Sequence, residues 1–250
     1  MASGDDILKR YSLEGFLQRH VFNSKTLSMT DLEIGCRQFE ELEPRDSMYR
    51  VSTFLVREWW NEPARLVEAL SVLLLVWNSN FYRFGGGGFN EQTLENCLRN
   101  NQPLINRFRD RDISSLSEVD HADIQKLFIA LSEALKRKKD GVESPVSAGK
   151  TLHLLAPNFF PLWDQYIAPA YQCPYQYELA CIAYIGFSQR MRDLIAPLRV
   201  ELAREQSPRK EWLSKKTLLK RIDEYNYVTF TLPSLAQQRS RRRGQGSKAD

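Results

Sequence analysis

The sequence predicts an all-α protein, and three observations support this fold class. Apolar residues recur at three- and four-residue intervals in one segment after another, as in Ile124, Leu127, Phe128 and Leu131. Capping residues and prolines stand where these segments begin, and strands do not alternate with helices along the chain. The 250 residues, 42% of them hydrophobic, are enough to bury a sizeable core.

Capping signals mark the predicted helices in the first half of the chain. Residues 30–33 read T-D-L-E, a capping box in which the first and last side chains satisfy each other's backbone amides. Pro63 suits a first helical turn, and Asn90 is a predicted N-cap. The predicted helices of this half span about residues 30–42, 48–60, 62–82, 90–98 and 104–108.

The second half continues the helical pattern. The helix that contains Ile124 ends at a lysine-rich run, residues 136–139, followed by Gly141. Positive charge at a helix C-terminus favours the macrodipole and needs no ligand to explain it. Only residues 225–232 alternate like a strand, and that segment is short and isolated. The other predicted helices span about residues 146–155, 164–171, 175–187, 190–205 and 208–222.

The net charge of +4 is confined to the end of the chain. Residues 239–250 hold five basic side chains and one acidic side chain, so residues 1–238 are neutral. We therefore expect a single helical domain over residues 1–238, built as one body or as two lobes with a cleft between them. Residues 239–250 are expected to form a disordered basic tail, which either holds phosphates or only increases solubility.

A second basic segment lies within the predicted domain. Residues 204–221 carry seven lysines and arginines against two glutamates. A basic face on a neutral body suits a nucleic-acid duplex lying along it, with Lys215 and Lys216 as phosphate contacts. Solvated helix faces have the same composition, so both interpretations stay open.

Composition excludes several classes of protein. No run of about 18 apolar residues is present, so we expect no membrane span. Charged residues occupy positions 5, 6, 9 and 10, ahead of any apolar block, so we expect no secretory signal and a cytoplasmic or nuclear protein. The four cysteines form no C-x-x-C pair and predict reduced thiols without a metal cofactor. Residues 149–151, G-K-T, do not form a phosphate-binding loop, because Ser144 replaces the required glycine and no strand precedes it.

Lys150 and Asp164 are the candidate catalytic residues. Lys150 lies near the start of an apolar helix, and Asp164 lies just before the next one. An amine can act as a nucleophile, and a carboxylate can stabilise a developing cation or activate water. The alternatives are a solvated Lys150 and an Asp164 that only caps the following helix.

Residues 146–152, V-S-A-G-K-T-L, and residues 163–167, W-D-Q-Y-I, resemble the G-V-G-x-K-T-A and V-D-T-H-V segments of the helix–hairpin–helix DNA glycosylases. This superfamily includes endonuclease III and the 8-oxoguanine glycosylases. The resemblance implies a two-lobed helical bundle in which Lys150 is the Schiff-base nucleophile and Asp164 is the essential carboxylate. It also implies excision of a damaged or modified base from double-stranded DNA, by a monomer without a cofactor.

A second segment is similar to the same family. Residues 73–81, L-L-L-V-W-N-S-N-F, resemble its early apolar helix and the polar turn that follows. The resemblance implies that Asn78 or Asn80 fills the gap left by an extruded base, with Phe81 or Tyr82 as a wedge. The alternative is a buried helix that ends at an asparagine and leads into a flexible glycine-rich connector.

A flipped base needs a pocket with apolar and aromatic walls. Trp163 and Tyr166 flank Asp164 and are candidates for these walls, and His153 shares a helix face with Lys150. The alternatives are aromatic residues of the core and a buried structural histidine. A second class of function also fits the sequence, namely a non-catalytic helical protein that binds nucleic acid or another partner.

Overall fold

The structure is a computed structural model that describes residues 27–42, 46–84, 86–173, 179–204 and 215–246. Every regular element in these residues is helical, which confirms the predicted all-α class. The pairing of Phe89 with Arg137 is an isolated bridge. None of the described helices is long and apolar enough to cross a membrane.

The helices follow one another through short connections. Two single turns of 3-10 helix, Ile113–Ser115 and Glu118–Asp120, lead into α6, and a π-helical turn, Tyr227–Thr231, joins the last two helices. The α-helices are α1 (Met29–Leu42), α2 (Asp46–Glu58), α3 (Pro63–Trp77), α4 (Ser79–Tyr82), α5 (Glu91–Arg109), α6 (His121–Ala134), α7 (Pro145–Leu155), α8 (Ile167–Ala170), α9 (Ala180–Arg204), α10 (Leu218–Asn226) and α11 (Leu232–Gly246).

Side-chain caps fix several of the helix starts. The Asn90 side chain accepts a hydrogen bond from the Thr93 amide, as the sequence predicts. Ser144 and Thr217 cap α7 and α10 in the same way. Each cap satisfies an amide that has no partner within the helix, which favours these boundaries by about 1 kcal/mol apiece.

Two predicted helix breaks are wrong. The segments predicted at 90–98 and 104–108 form one helix, α5, which continues through Pro103 with Leu94 and Leu98 buried before the proline and Ile105 and Phe108 buried after it. The segments predicted at 175–187 and 190–205 likewise contribute to one helix, α9, whose buried face includes Arg190 and Met191. Burial of a continuous face outweighs the local breaking signals.

The predicted strand at 225–232 is also wrong. This segment contains the end of α10, the π-helical turn and the start of α11. Asn226 and Thr231, five residues apart, are buried and hydrogen-bond to Tyr171 and Asp164, while Thr229 between them is exposed. The wider π turn brings both inward-facing residues to the same side.

The ends of two other predictions lie outside the described residues. The helix predicted at 208–222 begins within positions 205–214, which lie outside the described residues. The backbone of α11 is helical as far as Gly246, within the segment predicted to be a disordered tail. Positions 247–250 lie beyond the described residues.

Helix α7 lies at the centre of the core. Positions 147–155 are all buried, and the helix packs against α2, α3, α6 and α9. Trp163, 1% exposed, covers α7 at Gly149 and donates an indole hydrogen bond to the Pro145 carbonyl at 3.3 Å. A Cβ on Gly149 would lie 2.7 Å from the Trp163 ring nitrogen, so glycine here permits close packing of helix and indole.

We expect Gly149→Ala to lower the free energy of unfolding by about 1–3 kcal/mol. Alanine gains about 1 kcal/mol of helix propensity, but the collision with a rigid buried indole costs more and weakens its hydrogen bond to Pro145. Urea denaturation measures the difference. The double variant Gly149→Ala/Trp163→Phe should recover part of the loss, since it relieves the crowding. A single variant as stable as wild type would contradict this account.

Candidate functional site

The Lys150 side chain lies inside the core of the protein. It is 8% exposed, and α7 brings its amine against the end of α3. The Nζ atom donates to the Asn78 Oδ1 atom and to the Trp77 carbonyl at 3.4 Å, and it lies 5.6 Å from the centre of the Trp77 ring. The amine therefore has two neutral acceptors and an aromatic face, and no carboxylate lies within ion-pair distance in the described part of the chain.

A chain of hydrogen bonds orients the Asn78 side chain toward this amine. Asn78 Nδ2 donates to Ser147 Oγ, which in turn donates to Ser144 Oγ at 2.7 Å. Because the amide nitrogen is used in this way, the amide oxygen faces Lys150. Ser144 is the cap of α7, so the cap that begins the helix also positions the acceptor of its buried lysine.

Burial lowers the pKa of Lys150 from 10.5 to about 8. The carboxylates of Asp164 and Asp223 raise this pKa, and the like charge of Lys220 lowers it, but desolvation is the largest influence. Roughly a tenth of the amine is therefore unprotonated at pH 7, and this is the form that attacks an electrophile.

Asp164 is held at the N-terminus of α8. Its Oδ1 atom accepts hydrogen bonds from the amides of Tyr166 at 2.7 Å and Ile167 at 2.8 Å. Its Oδ2 atom accepts from the Thr231 hydroxyl at 2.8 Å, which comes from the π-helical turn. The carboxylate thus caps a helix, which is one of the two alternatives that the sequence offers for Asp164. The π-helical turn also fixes the orientation of this carboxylate.

Helix α10 adds a cluster of charged side chains that the sequence analysis did not include. Lys220 is completely buried, and its amine bonds to the Asp223 carboxylate at 2.9 Å. The same amine lies 4.8–5.0 Å from the ring centres of Phe39, Tyr49 and Trp77. Trp77 therefore has both buried lysines, Lys150 and Lys220, within about 6 Å of its ring, the range of cation–π attraction.

The charges within this cluster influence one another. Burial alone would lower the pKa of Lys220, but Asp223, Glu224 and Asp46 together raise it, so this amine stays protonated. Burial raises the pKa of Asp223 despite the opposing charge of Lys220, and the carboxylates of Glu224 and Asp164 raise it further. Asp223 is therefore a stronger base than an exposed aspartate.

The two lysines predicted to contact DNA differ in their surroundings. Lys215 is exposed. The Lys216 amine instead forms ion pairs with Asp46 and Glu224, the latter of which is completely buried. Lys216 is thus paired with carboxylates of the protein itself. The charge pattern of the sequence does not predict these ion pairs, because Asp46 lies far away in the chain.

His153 lies in the core with both ring nitrogens bonded. Its Nδ1 atom is 2.7 Å from the Phe160 carbonyl, which can only accept, so Nδ1 carries the proton. Its Nε2 atom then accepts from the Tyr49 hydroxyl at 2.9 Å. Burial lowers the pKa of His153 from 6.5 to about 3, so the ring is neutral. This arrangement matches the structural alternative for His153.

The aromatic residues predicted for a base pocket are divided between core and surface. Trp163 is buried against α7, Phe128 and Tyr184. Tyr166 is half-buried, and its hydroxyl donates to Gln238 of α11 at 3.1 Å. Of this pair, Tyr166 is therefore the aromatic side chain that reaches solvent beside Asp164.

The residues predicted to enter the DNA helix are similarly divided. Asn78 is buried against Lys150, whereas Asn80 is exposed. Phe81 is half-buried beneath the Arg137 guanidinium, 4.7 Å from its ring centre, and Tyr82 is fully buried. Phe84 is 79% exposed two residues further on and was not singled out in the sequence.

No protein-family model, curated protein or solved structure matches this chain. Among the described residues, no group of three or more histidine, cysteine, aspartate and glutamate side chains is arranged to hold a metal ion. The geometry around Lys150 and Asp164 is therefore the basis on which a function can be inferred.

We expect the neutral state of His153 to appear in the pH dependence of stability. Between about pH 3 and 6.5 the unfolded chain binds a proton on this ring that the folded chain does not, so stability falls as pH drops through this window. Urea denaturation should show that the free energy of unfolding of wild type exceeds that of His153→Gln by about 2 kcal/mol less at pH 5 than at pH 7. His121→Gln, at a partly exposed histidine, is the control and should change less. An equal gap at both pH values would contradict the assignment.

Proposed function

We propose that this protein is a DNA glycosylase that cleaves the N-glycosidic bond of a damaged or modified base. One observation carries the proposal: a buried amine of lowered pKa, Lys150, lies within electrostatic influence of a carboxylate, Asp164, that two separate elements hold in place. The resemblance of the segments around these two residues to glycosylase motifs supports the same chemistry.

Asp164 is suited to stabilise the sugar. Positive charge develops on the sugar ring as the glycosidic bond breaks, and a fixed carboxylate beside it lowers the energy of that state. The two α8 amides occupy Oδ1, and Thr231 orients Oδ2. A carboxylate fixed in this way needs little reorganisation as the charge appears.

Lys150 is suited to be the nucleophile. Its unprotonated amine attacks the sugar carbon that bears the base, the carbon–nitrogen bond breaks, and the base leaves with the bonding electrons and takes up a proton. The amine must then lose a proton of its own. Asp223, whose pKa is raised and which influences both Lys150 and Asp164 electrostatically, is suited to accept it.

A non-catalytic protein that binds nucleic acid is the second candidate function. The observation that favours it is the 8% exposure of Lys150, which leaves little of the amine accessible in the structure. Binding to DNA without release of any base would distinguish this candidate from the enzyme.

Asp164→Asn should reduce base release by on the order of a hundredfold or more. Asparagine still accepts the two amide hydrogen bonds at the start of α8, so the fold and DNA affinity should stay nearly unchanged. Incubation with duplexes carrying different modified bases, followed by hot alkali, reveals the abasic sites. Thr231→Val, which removes only the hydroxyl at Oδ2, should cost less. Near-normal turnover by Asp164→Asn would refute the catalytic role.

Borohydride should trap the wild-type chain covalently on substrate DNA, and Lys150→Ala should not be trapped. The rate of trapping should rise with pH and level off above about 8, as the Lys150 amine loses its proton. Lys126→Ala, at an exposed lysine, is the matched control and should be trapped like wild type. Base release without trapping would assign the chemistry to water activated by Asp164 and leave Lys150 a supporting charge.

A further inference from the structure

Helix α4 ends in a turn that presents an aromatic side chain to solvent. Phe84 is 79% exposed, whereas Tyr82 is fully buried and donates its hydroxyl to the Leu135 carbonyl at 2.8 Å. The amides of Gly86 and Gly88 both donate to the Tyr82 carbonyl at 3.2 Å. The turn is therefore anchored on both sides of Phe84, and the exposed ring projects from a fixed base.

A basic turn packs directly against this glycine segment. The Lys138 amide donates to the Gly88 carbonyl at 2.9 Å. A Cβ on Gly86 would lie 2.6 Å from the Lys139 Cβ, so the two turns touch without an intervening side chain. Gly87 has a φ of +78° and nothing within 4 Å of its Cβ position. Such bare backbone allows a phosphate group to approach closely.

Three cations on these turns face solvent outside any ion pair of the described residues, and Lys139 lies within electrostatic reach of Asp140. Arg83, Lys138 and Lys139 are exposed, and no carboxylate of the described residues lies within ion-pair distance of them. Their neighbours differ: Lys136 pairs with Glu133 and Glu143, and Arg137 with Asp140. Cations that are left unpaired on a surface are available to neutralise phosphates.

A cavity of about 330 Å³ is lined by the glycine turn, by Leu75 of α3 and Glu91 of α5, and by Lys138 of the basic turn. Arg83, Lys138 and the backbone of Gly87 and Gly88 line one part of it, and Glu91 is the acidic residue of its lining. Leu75 and Phe89 form its apolar wall. Its size lies in the range of small-ligand sites, and its lining combines positive charge with an apolar surface, as a phosphate with its attached sugar requires.

The geometry points to a nucleic-acid contact that we name the Phe84 surface: Arg83, Phe84, residues 86–88, Lys138 and Lys139. Arg83 and Lys138 bind a backbone phosphate at the cavity, and the Phe84 ring stacks on an unpaired base beside it. Basic side chains around an exposed aromatic ring are the usual means of holding an unstacked nucleotide. The choice of DNA as the partner rests on the proposed function.

Fluorescence anisotropy on the full chain tests this surface with two short labelled DNA duplexes. One duplex is fully paired, and the other contains a single unpaired thymine. Arg83→Ala/Lys138→Ala should weaken binding to both duplexes about tenfold or more and reduce the salt dependence by roughly one to two phosphate contacts. Phe84→Ala should weaken binding to the bulged duplex about tenfold and to the paired duplex less, and Phe84→Trp should restore it.

Matched controls separate this surface from general effects. Lys126→Ala and Val119→Ala change an exposed cation and an exposed apolar residue outside the cavity lining, and they should bind like wild type. Circular dichroism should show equal melting temperatures for all variants.

Two results overturn the proposal in different ways. If wild type binds DNA and the Phe84-surface variants bind equally well, the surface is wrong while the proposed function stands. If wild type releases no base and binds neither duplex, the proposed function fails and this surface fails with it. Equal losses for both duplexes in Phe84→Ala would refute the stacking role.

Discussion

Burial of positive charge is the constraint on which the rest of this structure depends. Two lysines, Lys150 on α7 and Lys220 on α10, place their amines in an apolar interior. Both amines lie near the Trp77 ring. An isolated ammonium group in such surroundings costs several kcal/mol unless other groups compensate it. The fold compensates the two amines differently, and this difference shifts their pKa values in opposite directions.

Lys220 is compensated by charge, and Lys150 is compensated mainly by neutral groups. Asp223 bonds to Lys220 directly, with Glu224 and Asp46 a little further away at 3.7 Å. Lys150 has the oxygens of Asn78 and Trp77 instead. A neutral acceptor stabilises the charged amine less than a carboxylate does, so the pKa of Lys150 falls while that of Lys220 rises. Similar burial therefore leads to opposite protonation behaviour.

Sequence reasoning predicted the parts of this arrangement that depend on local pattern. The helical class and the Asn90 cap can be recognised from neighbouring residues, whereas the catalytic roles of Lys150 and Asp164 stay predictions. Partners from distant segments could not be predicted. Asp223 was overlooked, and Lys216 was expected at the surface, because the sequence does not show which face of α10 meets Asp46. The predicted strand at 225–232 is wrong for a similar reason, since Asn226 and Thr231 find their partners in distant segments through the five-residue spacing of a π-helical turn.

Asn78 has a second consequence for how the molecule could respond to a ligand. Its side chain accepts a hydrogen bond from the Lys150 amine, and its backbone carbonyl accepts from the amides of Phe81 and Tyr82, the last two residues of α4. One residue therefore acts as the pivot between the buried amine and the turn that carries Phe84. A ligand that rotated α4 would shift this pivot and change the amine's hydrogen bond. By linkage, protonation of the amine would then change the affinity for that ligand to the same extent.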